Sequence, residues 1–134
     1  LANPTALVMA NNCFDALQKI GWPEGRIVLS QCAIYLALSP KSNSAYLAIN
    51  KAQSIVREKG DSSIPLSLRN APTKLMEELD YGKDYLYSHD NLDKLHLQEF
   101  LPDELKGTSI YKPKQNKRET EYEKLIEKIW KGKY

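Results

Sequence analysis

The two histidines are the residues of this chain best suited to acid–base chemistry. His89 is followed directly by Asp90, and His96 lies a few residues further along. A histidine oriented by a carboxylate can act as a general base that activates a nearby nucleophile. Neighbours in sequence rarely face one another suitably, and no nucleophile is obviously placed beside this pair. We therefore predict no catalytic residue in the chain and interpret His89 as a partner of its own loop backbone.

Glycine–lysine pairs are the next candidates, because phosphate-binding loops require them. A P-loop follows the pattern Gly-x-x-x-x-Gly-Lys-[Ser/Thr], so that backbone amides cradle the phosphates and the lysine reaches the terminal one. Lys41-Ser42 and Gly82-Lys83-Asp84 are only fragments of this pattern, and no glycine in the sequence completes it. We therefore expect the chain itself to hydrolyse no ATP and to hold no cofactor.

The cysteine content bounds the metal chemistry and the compartment. Cys13 and Cys32 are the only cysteines, and both lie among apolar residues at helical spacing. This placement favours buried thiols over a disulfide, and two cysteines without a neighbouring histidine pair make no zinc site. The sequence also lacks an apolar run near the roughly 18 residues that a membrane span requires. We expect a cytoplasmic protein with no bound metal and no membrane partner.

Four basic residues lie in or beside two segments that carry more polar detail than packing requires, residues 35–46 and 68–76. They are Lys41, Arg69, Lys74 and Lys83. If they converge, they can contact phosphates of DNA or acidic residues of a neighbouring domain. The alternative is that they satisfy helix C-terminal carbonyls and loop backbone. The net charge of +2 is too small to indicate nucleic acid as a partner by itself.

A second basic feature lies near the end of the chain. Residues 112–118 carry four positive charges in seven positions. A solvated linker is one interpretation of this spacer, and electrostatic contact with DNA is the other.

Helices are the elements that must position these residues. Helical periodicity or helix-start signals mark residues 4–20, 24–38, 44–59, 71–79 and 119–131, with a further start at Pro102. Asn3 and Asn70 are predicted N-caps, and Ser42 or Asn43 is the predicted cap of the third helix. No strand pattern is found. We predict an all-α fold of about five to six helices, with residues 1–111 as a compact domain and residues 112–134 as spacer plus C-terminal amphipathic helix.

The second predicted helix is apolar almost all round, which indicates that it is covered on several sides, by its own domain or by another subunit. The third carries alanines on its apolar face, and these allow close approach of another helix. Trp22 is expected to pack at a helix corner, and Ile64, Leu66 and Leu68 to pin the loop after the third helix. The candidate subunit-interface residues are Leu29, Ile34, Ile49 and Trp130.

Several motifs in order resemble the C-terminal domain of the replication-associated recombination protein A family. These are AAA+ ATPases related to clamp loaders and to the eukaryotic Werner helicase-interacting protein. The motifs include Pro23-Glu-Gly-Arg-Ile27, Tyr35-Leu-Ala-Leu-Ser-Pro-Lys-Ser-Asn43, Leu68-Arg-Asn-Ala-Pro-Thr-Lys-Leu75, Tyr87-Ser-His-Asp90 and Leu101-Pro-Asp-Glu-Leu105. The chain departs from the family at Val28, where proline is frequent, and over residues 91–96, where a glycine-containing stretch is common.

The resemblance implies a parent protein that is a DNA-dependent ATPase at stalled or damaged replication forks. ATP and Mg²⁺ would then belong to an ATPase domain outside this chain. It further implies a collar-like domain, as in clamp loaders, that assembles the parent as a homotetramer. The implied partners are the parent's own AAA+ domain, single-strand DNA-binding protein and DNA, in the bacterial cytoplasm near the nucleoid.

Overall fold

The computed structural model describes residues 1–90 and 92–134, and within them it contains α- and 3₁₀-helices but no strand. The all-α fold predicted from the sequence is therefore confirmed. The family departure at residues 91–96 includes Asn91, which lies outside the described residues. The α-helices are α1 (Thr5–Ile20), α2 (Gly25–Leu38), α3 (Ser44–Lys59), α4 (Lys74–Glu78) and α5 (Lys117–Trp130). Short 3₁₀-helices cover Leu66–Leu68, Leu92–Leu97 and Asp103–Leu105.

Helices α1 and α2 form an antiparallel hairpin. The thiol of Cys13 donates to the Val28 carbonyl at 3.8 Å, and that of Cys32 donates to the Met9 carbonyl at 3.7 Å. Both cysteines are buried as free thiols, as predicted. The helices can approach closely because Gly25 has no side chain: a Cβ there would stand 2.8 Å from a methyl carbon of Leu17.

Two predicted helix caps are wrong, and tertiary contacts explain the first. The Asn3 amide does not cap α1; it donates to the Tyr35 hydroxyl at 3.1 Å and to the Ser39 hydroxyl at 2.9 Å. It thereby ties the start of α1 to the end of α2. Asn70 does not cap α4 either, because that helix begins later. Thr73 takes the N-cap position, and its hydroxyl accepts from the Met76 amide.

The third helix begins next to both residues named as its candidate caps. Asn43 occupies the N-cap position of α3 but makes no side-chain cap bond. The Ser42 hydroxyl instead accepts from the Ser44 amide at 3.2 Å. The start of α3 is thus satisfied from one residue further out than the N-cap.

Helices α3 and α5 are held differently. Helix α5 packs against the 3₁₀-helix Leu92–Leu97, whereas α3 packs against no other helix among the described residues. Side-chain bonds tether α3 instead: the Lys51 ammonium donates to the Ser109 carbonyl at 2.7 Å, and Ser44 bonds to Glu119 on α5. The flanks of α3 therefore stay open.

The chain exposes more surface than a compact monomer of its size. Its accessible area is 10187 Å², whereas about 7,100 Å² is expected for a folded monomer of this mass. Trp22 is 71% exposed and does not pack at a helix corner. Ile64 and Leu66 are also exposed, so they do not pin their loop to a core within this chain. Among the described residues, no helix combines the length and apolarity needed to cross a bilayer.

Candidate functional site

The outer face of α2 is an exposed apolar stripe. Val28 and Cys32 face α1, whereas Ile27, Ile34 and Leu38 recur at helical spacing on the solvent side and are exposed. Ile27 and Ile34 line a shallow groove together with polar side chains of the same helix. Helix α2 is therefore apolar on two sides, and the chain itself covers only one of them.

Helix α3 carries a second apolar stripe. Tyr46, Ile49 and Val56 lie on one face at helical spacing and are exposed. Because α3 packs against no other described helix, this stripe has no helix of its own chain to cover it. The molecule thus presents two apolar faces on separate helices.

The predicted interface residues divide into two groups. Leu29, Ile34 and Ile49 are exposed on α2 and α3 and are accessible to another subunit. Trp130 is half-buried and packs within its own chain, with its ring 5.8 Å from Phe100 and 5.0 Å from Tyr134 between centroids. Trp130 therefore shapes the surface beside α5.

Two of the candidate basic residues contact the backbone of their own chain. The Lys41 ammonium donates to the Leu36 carbonyl at 2.6 Å and to the Ser39 carbonyl at 2.5 Å, at the C-terminal end of α2. The Arg69 guanidinium donates to the Ile64 carbonyl at 2.8 Å and to the Tyr81 hydroxyl at 3.2 Å. These are contacts of the kind expected if the basic residues satisfy helix ends and loops.

The other two basic residues are more accessible. Lys74 is exposed at the first position of α4. Lys83 forms an ion pair with Asp80 at 2.9 Å, and this hydrogen bond raises the pKa of the lysine. The segment containing Lys83 lies beside Arg69, because a Cβ on Gly82 would stand 3.2 Å from the Arg69 carbonyl oxygen. The structure thus brings two of the four basic segments together, while Lys41 lies at the end of α2.

The two histidines lie in different environments. His89 is exposed, and its ring lies 5.3 Å from the Tyr87 ring. His96 is half-buried, and its buried Nδ1 makes no hydrogen bond. Within the described part of the chain, no group of three or more metal-ligating side chains is arranged to hold an ion.

Glu119 is a buried carboxylate that is not among the residues predicted from the sequence. Its side chain is fully buried and joins three segments. The carboxylate accepts from the Leu1 nitrogen at 2.8 Å, the Ser44 hydroxyl at 2.9 Å and the Lys114 amide at 2.7 Å. Burial by itself would raise the pKa of Glu119, but these hydrogen bonds and one from Ser42 outweigh it and hold the pKa well below its usual value.

A local signal for Glu119 was present in the sequence. Asn116 is the N-cap of α5, and its side chain accepts from the Glu119 amide at 3.1 Å. An N-cap residue followed three positions later by glutamate is the capping-box pattern. The pattern marks the start of α5, but it does not reveal the bonds to Leu1 and Ser44.

A cleft runs beside α5, which we call the α5 cleft. Its apolar part has a volume of about 600 Å³. A more polar part continues from it and shares Ser109, Tyr111, Ile126 and Tyr134 as walls. The apolar part is lined chiefly by Leu95, Phe100, Leu101, Ile110, Ile126 and Trp130. The polar part adds Lys112, Lys124 and Lys128 as well as Glu123 and Glu127.

Charged groups fix the end of this cleft. The Tyr134 hydroxyl donates to the Glu99 carboxylate at 3.0 Å, and burial together with this bond raises the pKa of Tyr134 to about 12. The same carboxylate accepts from the Phe100 and Leu101 amides, both at 2.9 Å. Lys133 lies over the Trp130 and Tyr134 rings and donates to the Gln98 carbonyl. These contacts therefore hold the residues at this end of the α5 cleft in place.

Comparison with known proteins gives matches over nearly the whole chain. Residues 1–130 match the family described as MgsA AAA+ ATPase C terminal. Replication-associated recombination protein A of Coxiella burnetii is 42% identical over 113 residues, which cover 84% of this chain and 26% of that protein. The protein of the same name from Bacillus subtilis is 40% identical over 134 residues, covering 99% and 32%. ATPase WRNIP1 of Dictyostelium discoideum is 35% identical over 115 residues, covering 85% and 13%.

The fold and these matches define a class first: a helical C-terminal domain of an AAA+ ATPase. The chain belongs to the MgsA C-terminal family, which it shares with replication-associated recombination protein A, and the resemblance stated from the motifs is confirmed. It spans about a third or less of the length of these relatives.

Proposed function

We propose that this domain assembles its parent protein into a homotetramer. The observation that carries the proposal is the uncovered apolar surface. The accessible area of 10187 Å² exceeds that of a compact monomer by about 3,000 Å². A stable protein interface removes about 800 Å² per partner. The excess is therefore large enough for more than one interface per chain.

The placement of the apolar stripes supports a closed, symmetric assembly. One stripe lies on α2 and the other on α3, and these helices do not pack against each other in the described structure. Two separate self-complementary faces generate a tetramer with dihedral symmetry, in which each chain meets two partners through different surfaces. Ile34 belongs to the first interface and Ile49 to the second, whereas the candidate Leu29 lies on another side of α2 from the stripe.

The role of the parent protein is proposed by kinship. The names of the relatives point to recombination associated with replication. We infer that the parent is a DNA-dependent ATPase acting at replication forks, with ATP and Mg²⁺ bound outside this chain. This domain is then a non-catalytic, collar-like part of that ATPase. Single-strand DNA-binding protein is the proposed external partner, and the bacterial cytoplasm near the nucleoid is the proposed location.

The solution mass tests the assembly directly. We expect multi-angle light scattering across a concentration series to give four times the chain mass of 15.3 kDa. Ile34→Asp and Ile49→Asp should each reduce the mass to that of a smaller species, because a carboxylate would be buried in an apolar interface. Asn50→Asp is the matched control on α3 and should remain tetrameric. A monomeric wild-type fragment at tens of micromolar would refute the proposal.

DNA binding is the second candidate function. It is favoured by the net charge of +4 on residues 112–134, which carry eight lysines and arginines against four glutamates. Lys117 and Arg118 are exposed at the start of α5. The candidate contacts Arg69 and Lys41 are already engaged by the backbone, which argues against their being the main contacts.

Fluorescence anisotropy with labelled single-stranded and forked DNA distinguishes the two functions. DNA binding through this domain predicts an affinity that falls steeply with salt and weakens on charge reversal of Lys117 and Arg118. Reversal at Arg69 and Lys74 tests the other candidate contacts. If both reversals leave the fold and the DNA affinity unchanged, this second function is excluded.

A further inference from the structure

The α5 cleft lacks an apolar occupant. Its apolar part has a volume of about 600 Å³, enough for two or three large aliphatic side chains, and its walls are mostly aromatic and branched residues. Next to it the polar part carries three lysines, Lys112, Lys124 and Lys128, against two glutamates, Glu123 and Glu127, so its net charge is positive. An occupant that complements both parts presents adjacent apolar side chains together with acidic ones.

Basic and acidic side chains are distributed unevenly along the chain. Residues 112–134 carry eight basic against four acidic side chains, and one of the four, Glu119, is buried and already bonded. Residues 1–111 carry eleven basic against thirteen acidic side chains. The segment that contains α5 is thus positive, and the remainder of the same chain is negative. Such a division favours contact between the α5 cleft and an acidic part of another copy.

One exposed element of the chain has the required composition. Helix α4 carries Leu75, which is 64% exposed, and is followed by Leu79, which is 54% exposed. Positions i and i+4 lie on the same side of a helical turn, so both leucines point to one face. Glu78 flanks this face at i+3, whereas Glu77, at i+2, lies on the opposite side of the turn. The exposed stripes of α2 and α3 carry no acidic side chain at this spacing.

We propose that α4 of a second copy docks in the α5 cleft, with Leu75 and Leu79 in the apolar part. Glu78 then faces Lys124 and Lys128 on the rim. The contact is made between different elements of the two copies, so it adds directional pairing to the stripes on α2 and α3. This proposal rests on the proposed self-association and names one surface through which it occurs.

A charge-swap experiment tests the contact in the intact chain. One variant carries Glu78→Lys, and the other carries Lys124→Glu and Lys128→Glu. Each variant alone opposes like charges across the contact, so we expect its self-association constant in sedimentation equilibrium to fall by about tenfold or more at low salt. An equimolar mixture pairs opposite charges in both directions and should recover association close to the wild-type value.

Two controls separate the contact from general charge effects and from unfolding. Glu77→Lys changes the net charge as much as Glu78→Lys does, at an exposed position on the opposite side of the same turn, and should associate like the wild type. Leu75→Ala with Leu79→Ala should weaken association at both low and high salt, because it removes the apolar anchors. Recovery in the mixture shows that both charge variants are folded.

The outcomes are distinguishable from those of the proposed function. If the wild type associates and the charge variants associate equally well, the α4 contact is refuted while self-association stands, and the α5 cleft is left for a different partner. If both variants are weak but the mixture does not recover, the pairing is refuted as well. A monomeric wild type would refute the assembly itself.

Discussion

Glu119 is the residue on which the packing of the two ends of the domain depends. It is fully buried, and its acceptors are used by Leu1, Ser44 and Lys114. We expect Glu119→Gln to lower the free energy of unfolding by about 3 kcal/mol, because an amide replaces one acceptor oxygen with a donor that faces other donors. Glu121→Gln, on the exposed side of α5, is the control and should change it little. Urea denaturation at fixed protein concentration measures the difference.

The same carboxylate predicts how stability depends on pH. Its pKa is depressed in the folded state, so folding stabilises the ionised form, and this contribution is fully present above the unfolded pKa of about 4.3. Stability should therefore fall as the pH is lowered through and below that value. We expect denaturation curves between pH 7 and pH 3 to show a shallower loss for Glu119→Gln than for the wild type. Parallel curves would show that Glu119 is not the group responsible.

For individual residues, the sequence was informative where the hydrogen-bond partners are local. The thiols of Cys13 and Cys32 are buried as predicted, because each contacts the adjacent helix of one hairpin. Glu119 was missed because its partners lie 75 and 118 positions away, and no periodicity connects such distances. Lys41 and Arg69 remain predicted contacts, and their bonds to carbonyls of the same chain depend on how helix ends and loops turn.

The N-cap of α5 gives a prediction at the scale of the element. The Asn116 side chain accepts from the Glu119 amide, in the extended backbone geometry of a helix cap. We expect Asn116→Ala to destabilise the domain by about 1 kcal/mol, because the first turn loses its acceptor. Asn116→Ser supplies another acceptor and should keep most of that stability. Thermal melts at equal concentration compare the two, and equal loss in both would contradict a capping role.

The positions of the long helices were predictable, and some of their ends were not. The periodicity of apolar residues located α1, α2, α3 and α5 within about two residues, because that pattern is repeated over several turns. Asn3 and Asn70 were wrongly assigned as caps. A cap residue can bond to its own helix or to a distant side chain, and Asn3 contacts Tyr35 and Ser39 instead.

At the scale of the whole molecule, we expect the stability to depend on protein concentration. Association that covers the exposed apolar stripes of α2 and α3 stabilises the folded assembly by mass action. We expect the Tm of the wild type to rise by several degrees between about 1 and 100 μM, and Ile49→Asp to abolish most of the rise. Calorimetry at several concentrations measures it. A Tm that is independent of concentration would contradict assembly through these faces.

At the scale of the whole molecule, sequence patterning could not show what covers the outer face of α2. It showed that α2 is apolar on several sides, and it left open whether the same domain or another subunit covers it. The structure shows that α1 covers one side and that Ile27, Ile34 and Leu38 remain exposed on the other. Which surfaces meet is a property of the assembled copies, and no pattern within one chain encodes it.

The bonds of Glu119 also bear on synthesis of the protein. The start of α3 is completed by a carboxylate that lies 75 residues further along the chain. A ribosome releases the hairpin of α1 and α2 long before it releases α5. The nascent domain therefore holds α3 without this tether until α5 has left the ribosome, when Ser44 and Leu1 acquire their common acceptor. Ribosome-bound chains that stop before residue 119 should be digested by protease within α3, whereas released chains should resist.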